Sequence, residues 1–272
     1  MVRSLWSAAT GMNAQQTNVD TIANNLANVN SVGYKAQVAE FKSLLYQTLQ
    51  TATTTANGDP KPVTSQVGLG VRTAALNQIF KQGSLLASES DTAFAIEGDG
   101  FFAVRNANGE TNYTRNGDFV WAMSGTGGIM LTTSDGLPVL DTNGRTIALA
   151  GTYMANRITI SADGSLLYPD ANNNPAPLGV SIGVFQFRNP AGLSRQGDTL
   201  YAVTGASGIA LNEATNPNVV RSKVVQGYLE GSNVQVADEM VNLIVAQRAY
   251  EMNSKAITTS DEMLQQANNL KR

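Results

Sequence analysis

The residues that most often carry chemistry near neutral pH are missing from this 272-residue chain: it has no histidine and no cysteine. Without them there is no thiol nucleophile, no Ser-His-Asp or Cys-His arrangement, and almost no route to a zinc, copper or haem site. A carboxylate pair, a Ser-Lys dyad or an oxygen-ligand calcium site stays open, but no acidic pair stands out in an apolar setting. Gly98-Asp99-Gly100 looks like a phosphate loop, yet it lacks a third glycine and leads into Phe101-Phe102, which reads as a strand. No helix N-terminus would then face an anion. Asp170-Ala171-Asn172-Asn173-Asn174-Pro175 opens like an EF-hand loop, but Pro175 stands at the required glycine and Ser181 at the bidentate glutamate. A polar turn is the expectation there. The residues thus predict no catalytic centre, no cofactor and no metal.

What remains is a chain built to touch other protein. The net charge is −3 with a pI near 5.0, so no basic field exists for nucleic acid or anionic lipid. Charged residues make up 14%, against roughly 25% in ordinary soluble domains. Depletion of charge is a mark of interface cores, although a low-charge extracytoplasmic protein has the same composition. No stretch approaches the ~18 apolar residues of a membrane span. Arg3 followed by Leu5-Trp6-Ser7-Ala8-Ala9-Thr10-Gly11 is not the apolar core of a secretory leader, so export, if it occurs, is expected to proceed without a cleaved one.

The elements that must do the touching lie at the two ends. Leu5, Met12, Val19 and Leu26 recur every seven residues, with Ala8, Gln15, Ile22 and Val29 offset by three. Leu243, Tyr250, Ile257 and Leu264 keep the same period near the C-terminus. A seven-residue apolar period calls for helices that bury a seam against other helices. One helix is expected from residue 4 to about 30, with Ser4 as N-cap and Gly33 as its αL stop. The other is expected from Val234 to Leu270. Gln15, Asn253 and Ser260 interrupt the stripes; they read either as a partly solvated face or as register control. A weaker helix is expected over Val38–Gln50, and a Thr-, Gly- and Pro-rich extended connector follows. From 84 to 225 the pattern is β. Asn108-Gly109, Asn116-Gly117, Asp135-Gly136, Asn143-Gly144 and Asp163-Gly164 predict type I′ hairpin turns between runs such as Phe101–Val104 and Val184–Phe187.

Three segments resemble the signatures of bacterial flagellar rod and hook proteins. They are Asn24-Asn25-Leu26-Ala27-Asn28-Val29-Asn30-Ser31-Val32-Gly33-Tyr34-Lys35; Gly98-Asp99-Gly100-Phe101-Phe102-Ala103-Val104 with Tyr113-Thr114-Arg115-Asn116-Gly117-Asp118-Phe119; and Gly227 to Val234 through Gln247-Arg248-Ala249-Tyr250-Glu251. The openings Arg3-Ser4-Leu5-Trp6 and Val67-Gly68-Leu69-Gly70-Val71-Arg72 are similar to the distal-rod members of that family.

The resemblance implies an α+β protein. Its terminal helices (1–50 plus 226–272) pair as a coiled-coil-like inner domain, an extended connector spans 51–83, and a mostly antiparallel β outer domain spans 84–225. It implies a structural, non-enzymatic subunit of the distal rod, polymerising into a hollow drive shaft outside the cytoplasmic membrane. A β-bearing proximal rod subunit or a hook-type protein is the alternative within the family. A non-polymerising binding protein or a cell-wall enzyme is the alternative outside it. The implied partners are other copies of the chain, proximal rod subunits, hook and hook-junction proteins, surrounding periplasmic and outer-membrane rings, and the flagellar type III export apparatus.

Overall fold

The computed structural model describes residues 2–50, 65–125, 127–170 and 172–270. They fall into two units: Met1–Ala27 with Gln37–Gln78 and Gln235–Arg272, and Asn28–Ala36 with Ile79–Val234.

The first unit contains both long helices, α1 (Val2–Ala27) and α2 (Val236–Asn269). Ser4 lies inside α1 rather than capping it. The helix also stops at Ala27, short of the expected residue 30. Two strand pairs accompany the helices. β1 (Gln37–Ser43) and β2 (Tyr46–Gln50) occupy the stretch expected to be helical. β1 pairs antiparallel with β4 (Val71–Gln78), and β2 with β3 (Ser65–Gly68). The reason lies outside the stretch. Asn25 at the end of α1 donates Nδ2 to the Gln37 carbonyl at 2.8 Å and accepts the Gln37 N–H at 2.9 Å. This two-point clamp starts the extended chain, and cross-strand pairing overrides a weak helical preference. Of the expected connector, residues 51–64 lie outside the described residues, and 65–78 form β3 and β4.

The second unit is mostly β, with two single-turn 3-10 helices at Ala155–Arg157 and Pro190–Gly192. Its first strands are β5 (Leu85–Ala87), β6 (Phe94–Glu97), β7 (Phe101–Arg105), β8 (Thr111–Thr114), β9 (Phe119–Met123), β10 (Ile129–Thr133) and β11 (Ala148–Leu149). There follow β12 (Thr159–Ile160), β13 (Ser165–Pro169), β14 (Pro175–Ser181), β15 (Val184–Gln186), β16 (Ser194–Gly197), β17 (Leu200–Ala202), β18 (Leu211–Asn212), β19 (Lys223–Gln226) and β20 (Tyr228–Glu230). Six of them form one sheet in the order β16-β17-β8-β7-β15-β18. β7 is buried on both faces, and its period of two sorts the side chains. Phe102 and Val104 join a large core with Phe94, Phe119, Leu131 and Ile147. Phe101 and Ala103 face an aromatic cluster with Tyr113, Phe187 and Tyr201. Ring pairs there meet edge to face, Tyr113 and Phe187 at 4.9 Å.

The Asn-Gly and Asp-Gly turns differ in type from the expectation. Gly109, Gly136, Gly144 and Gly164 have positive φ, but among the described residues the only non-glycines that do are Asn173, Asp198 and Thr199. Only the glycine is therefore left-handed. In each turn it donates to the carbonyl three residues back (Gly144 to Asp141 at 3.1 Å), while that residue's N–H reaches past it (Asp141 to Arg145 at 2.7 Å). This is a type I turn closed by a glycine bulge. Asn116-Gly117 is no hairpin turn at all. It is the corner where the chain leaves β8 in one sheet for β9 in another, and Gly117 lies against the Phe94 carbonyl with no room for a Cβ. Gly117→Ala should therefore lose ~2–3 kcal/mol in urea unfolding. Gly144→Ala, with open space and only a backbone penalty, should lose ~1 kcal/mol.

Candidate functional site

Two sites emerge, one in each unit. In the β unit a single carboxylate gathers distant segments. Glu230, the last residue of β20, is fully buried, as is Lys35, and Arg115 nearly so. Lys35 Nζ donates to Glu230 Oε1 at 2.6 Å, and Arg115 Nη1 to Oε2 at 3.2 Å. The Gly83 N–H also donates to Oε1, at 3.0 Å. Both cations have a second anchor: Lys35 Nζ on the Lys81 carbonyl at 2.8 Å, and Arg115 Nη2 on the Gly98 carbonyl at 2.7 Å. The Arg115 guanidinium also stacks over the Phe101 ring at 5.0 Å. Burial pulls the Lys35 pKa below its ordinary value, with Arg115 adding to the effect; the charge and hydrogen bond of Glu230 act against it. Three charges so placed, with every oxygen taken, hold segments in place and offer nothing to a substrate.

Around the triad the main chain is pinned too. Gly33 N–H donates to the Glu230 carbonyl at 2.7 Å and Ala36 N–H to Asn233 Oδ1 at 2.7 Å. Gly33 has φ +68, and a Cβ there would sit 2.5 Å from the Asn116 nitrogen. It serves this close approach, not the end of α1. Tyr34 is buried with Ala36 and Val234, under Arg195 at 5.2 Å.

In the helical unit α1 and α2 run antiparallel. Ser4 Oγ meets Ser260 Oγ at 3.4 Å, Gly11 faces the Asn253 amide, and Asn25 Nδ2 reaches Glu239 Oε1 at 3.4 Å. Seven residues up α1, from Ser4 to Gly11, match seven down α2, from Ser260 to Asn253. The next fourteen, to Asn25, end at Glu239. Small residues set the approach: a Cβ on Gly11 would lie 2.9 Å from Asn253 Nδ2.

Of the helix positions read from the heptads, Ile22 and Ser260 are buried. Leu5, Met12, Gln15, Val19, Leu26, Leu243, Asn253, Ile257 and Leu264 are half-buried, and Tyr250 is 42% exposed. Of the signature residues, Asn25, Gly33, Tyr34, Gly100, Phe101, Phe102, Tyr113, Thr114 and Arg115 are buried and Asn28 half-buried. Arg248 is exposed and pairs with Glu251 one turn along, at 2.9 Å. Such a surface pair contributes little. Sequence reasoning left Lys35, Glu230, Gly83, Asn233 and Gly11 out of the site. No local signal marks the pair Lys35 and Glu230, which are separated by 195 positions.

Comparison with known proteins accounts for the three signatures. A model described as flagella basal body rod protein matches residues 5–35. One described as flagellar hook protein FlgE/F/G D1 domain matches 95–168, and one described as flagellar basal body rod FlgEFG protein C-terminal matches 225–270. Each stretch contributes one member of the triad. Flagellar basal-body rod protein FlgG of Borreliella burgdorferi is 46% identical over 274 residues, covering 100% of both chains. The proteins of that name from Agrobacterium fabrum and Caulobacter vibrioides are 42% and 40% identical, covering 96% and 99% of this chain and 97% and 100% of their own. The chain belongs to the flagellar basal-body rod protein family. Its function follows from that full-length likeness: it is a structural subunit of the distal rod of the flagellar basal body, part of the motility apparatus.

Glu230→Ala should cost about 3–5 kcal/mol in chemical denaturation, because it leaves two buried cations without their anion. Glu239 gives a pH test in the other unit. Burial raises its carboxyl above the ordinary 4.5, Asp238 adds to this, and the Asn25 bond opposes it. A raised acid is protonated more readily in the folded state, so its contribution is present at low pH and lost as pH rises through the raised value. The wild-type melting midpoint should therefore fall, relative to Glu239→Gln, as pH climbs from about 4.5 towards neutral.

Proposed function

We propose that the distal rod subunit polymerises helically through its terminal helices, which pair as a coiled-coil-like inner domain around a hollow core while the β-rich region stands outside. The observation that carries this reading is the distribution of side chains on α2. Its contacts with α1 involve Ser260, Asn253 and Glu239, and Ala246 is its most buried apolar residue. Val241 and Ile244 lie on the opposite side at about 100° per residue, 60% and 54% exposed, with Met240 and Val245 on its flanks. A helix whose apolar side its neighbour leaves exposed needs a second partner. In a rod that partner is another copy, and a non-closing contact repeated by one rotation and rise gives a filament.

Polymerisation then supplies what the single subunit lacks. The helices order fully on assembly, which confines growth to the tip, and coupled folding forfeits about 2–5 kcal/mol of gross interaction energy. The role is structural and not enzymatic: torque passes through the shaft to the hook, and later subunits pass through the bore. Proximal rod subunits, hook and hook-junction proteins and the surrounding rings are its neighbours. The flagellar type III apparatus delivers it to the basal body.

Ile244→Asp on the outer side and Ile257→Asp on the seam should each abolish rods and swimming, since each buries an unpaired charge on assembly. Amide exchange on the purified variants should show the β unit as protected as in wild type. Normal motility of Ile244→Asp would refute the outer contact. A small stable oligomer that never elongates, seen by sedimentation with wild-type protein, would favour a binding protein instead.

A further inference from the structure

We propose that residues 28–36 are a built-in ligand and that 79–234 carries a preformed socket for it, with Lys35 as the anchoring side chain. The segment is held as a bound peptide is held. Gly33 N–H donates to the Glu230 carbonyl, Ala36 N–H to Asn233 Oδ1, and the Ala36 carbonyl accepts from Ile79 N–H at 2.9 Å. Lys35 Nζ enters between Glu230 and the Lys81 carbonyl, and Tyr34 fills a niche with Val234 beneath Arg195. Main-chain bonds supply affinity and side-chain pockets supply selectivity, as when extended peptides dock on a domain.

The socket stands without its plug. If Lys35 leaves, the Glu230 carboxylate keeps Arg115 and the Gly83 N–H. A buried cluster with one excess positive charge then becomes a neutral pair. Asn233 Nδ2 still ties the Ile79 and Lys81 carbonyls at 2.7 and 3.1 Å. Neither large core of the β unit includes a residue of 28–36, whose apolar contacts form the separate cluster of Tyr34, Ala36, Val29 and Val234. Segment 28–36 is therefore a latch on a finished body. It belongs to one subunit and is measured without polymerisation.

The test uses the full-length chain with its own plug disabled, Tyr34→Ala/Lys35→Ala, and a dye-labelled peptide of residues 28–37 (Asn-Val-Asn-Ser-Val-Gly-Tyr-Lys-Ala-Gln) added in trans. The melting transition of the β unit should persist, and the peptide should bind saturably with Kd below about 1 mM. Lys35→Met in the peptide, or Glu230→Gln in the receptor, should weaken binding about tenfold or more, the factor equivalent to ~1.4 kcal/mol. Loss of the melting transition in the disabled chain would show that 28–36 is part of the core, and would overturn the proposal. So would a folded receptor with no saturable binding, or binding indifferent to both substitutions.

Discussion

A carboxylate with no water around it must be surrounded by donors, and this requirement at Glu230 organises the β unit. The cost of burying the ion is offset only when its oxygens are filled with good geometry. The donors come from places far apart along the chain: Lys35 before the β region, Gly83 at its entrance, Arg115 at a sheet corner. Lys35 and Arg115 are each fixed by a second bond, and Arg115 by a ring as well, so the carboxylate locates backbone as well as charge. Burial of this kind adds less stability than specificity. A chain that misplaces any one of these segments leaves a charge stranded, and that penalty selects a single arrangement.

Gly100, Phe101 and Phe102 show why the middle signature is rich in glycine and aromatics. β7 is the strand shared by two cores, so its side chains alternate between them with no solvent face. Gly100 precedes it where a Cβ would strike Val184 and Glu213. Arg115 then leaves β8 and lies over Phe101 on its way to Glu230. Packing around β7 thus positions the guanidinium, and the guanidinium in turn completes the triad.

The helices and the β region were legible in the sequence because they rest on local periods and composition. Leu5, Met12, Val19 and Leu26 carry their spacing wherever they are placed, and Phe101–Val104 reads as a strand from its own residues. Contacts between distant segments are not written this way. Lys35 and Glu230 are separated by 195 positions, and each looks locally like an ordinary surface charge. Val38–Gln50 misleads for the same reason: its partner strand β4 begins at Val71, and the clamp that starts it belongs to Asn25. The turn dipeptides were informative about where the chain reverses. They were silent on type, because a glycine bulge needs positive φ at one residue while a type I′ turn needs it at two.

Heptads ordinarily place large apolar residues in the seam, and here the seam of α1 and α2 is partly small and polar. Gly11 and the buried Ala246 leave room for close approach, and Ser4, Ser260, Asn25 and Asn253 give the contact hydrogen-bonding groups. Close approach gains dispersion but buries little apolar area, so the pair is a weak unit by itself. The apolar area sits instead on the far side of α2, at Val241 and Ile244, where α1 cannot reach it. The heptad period thus sets the register of the pair, while Val241 and Ile244 stand outside that period and remain exposed. A helix pair with apolar surface of this kind pointing outward does not satisfy itself.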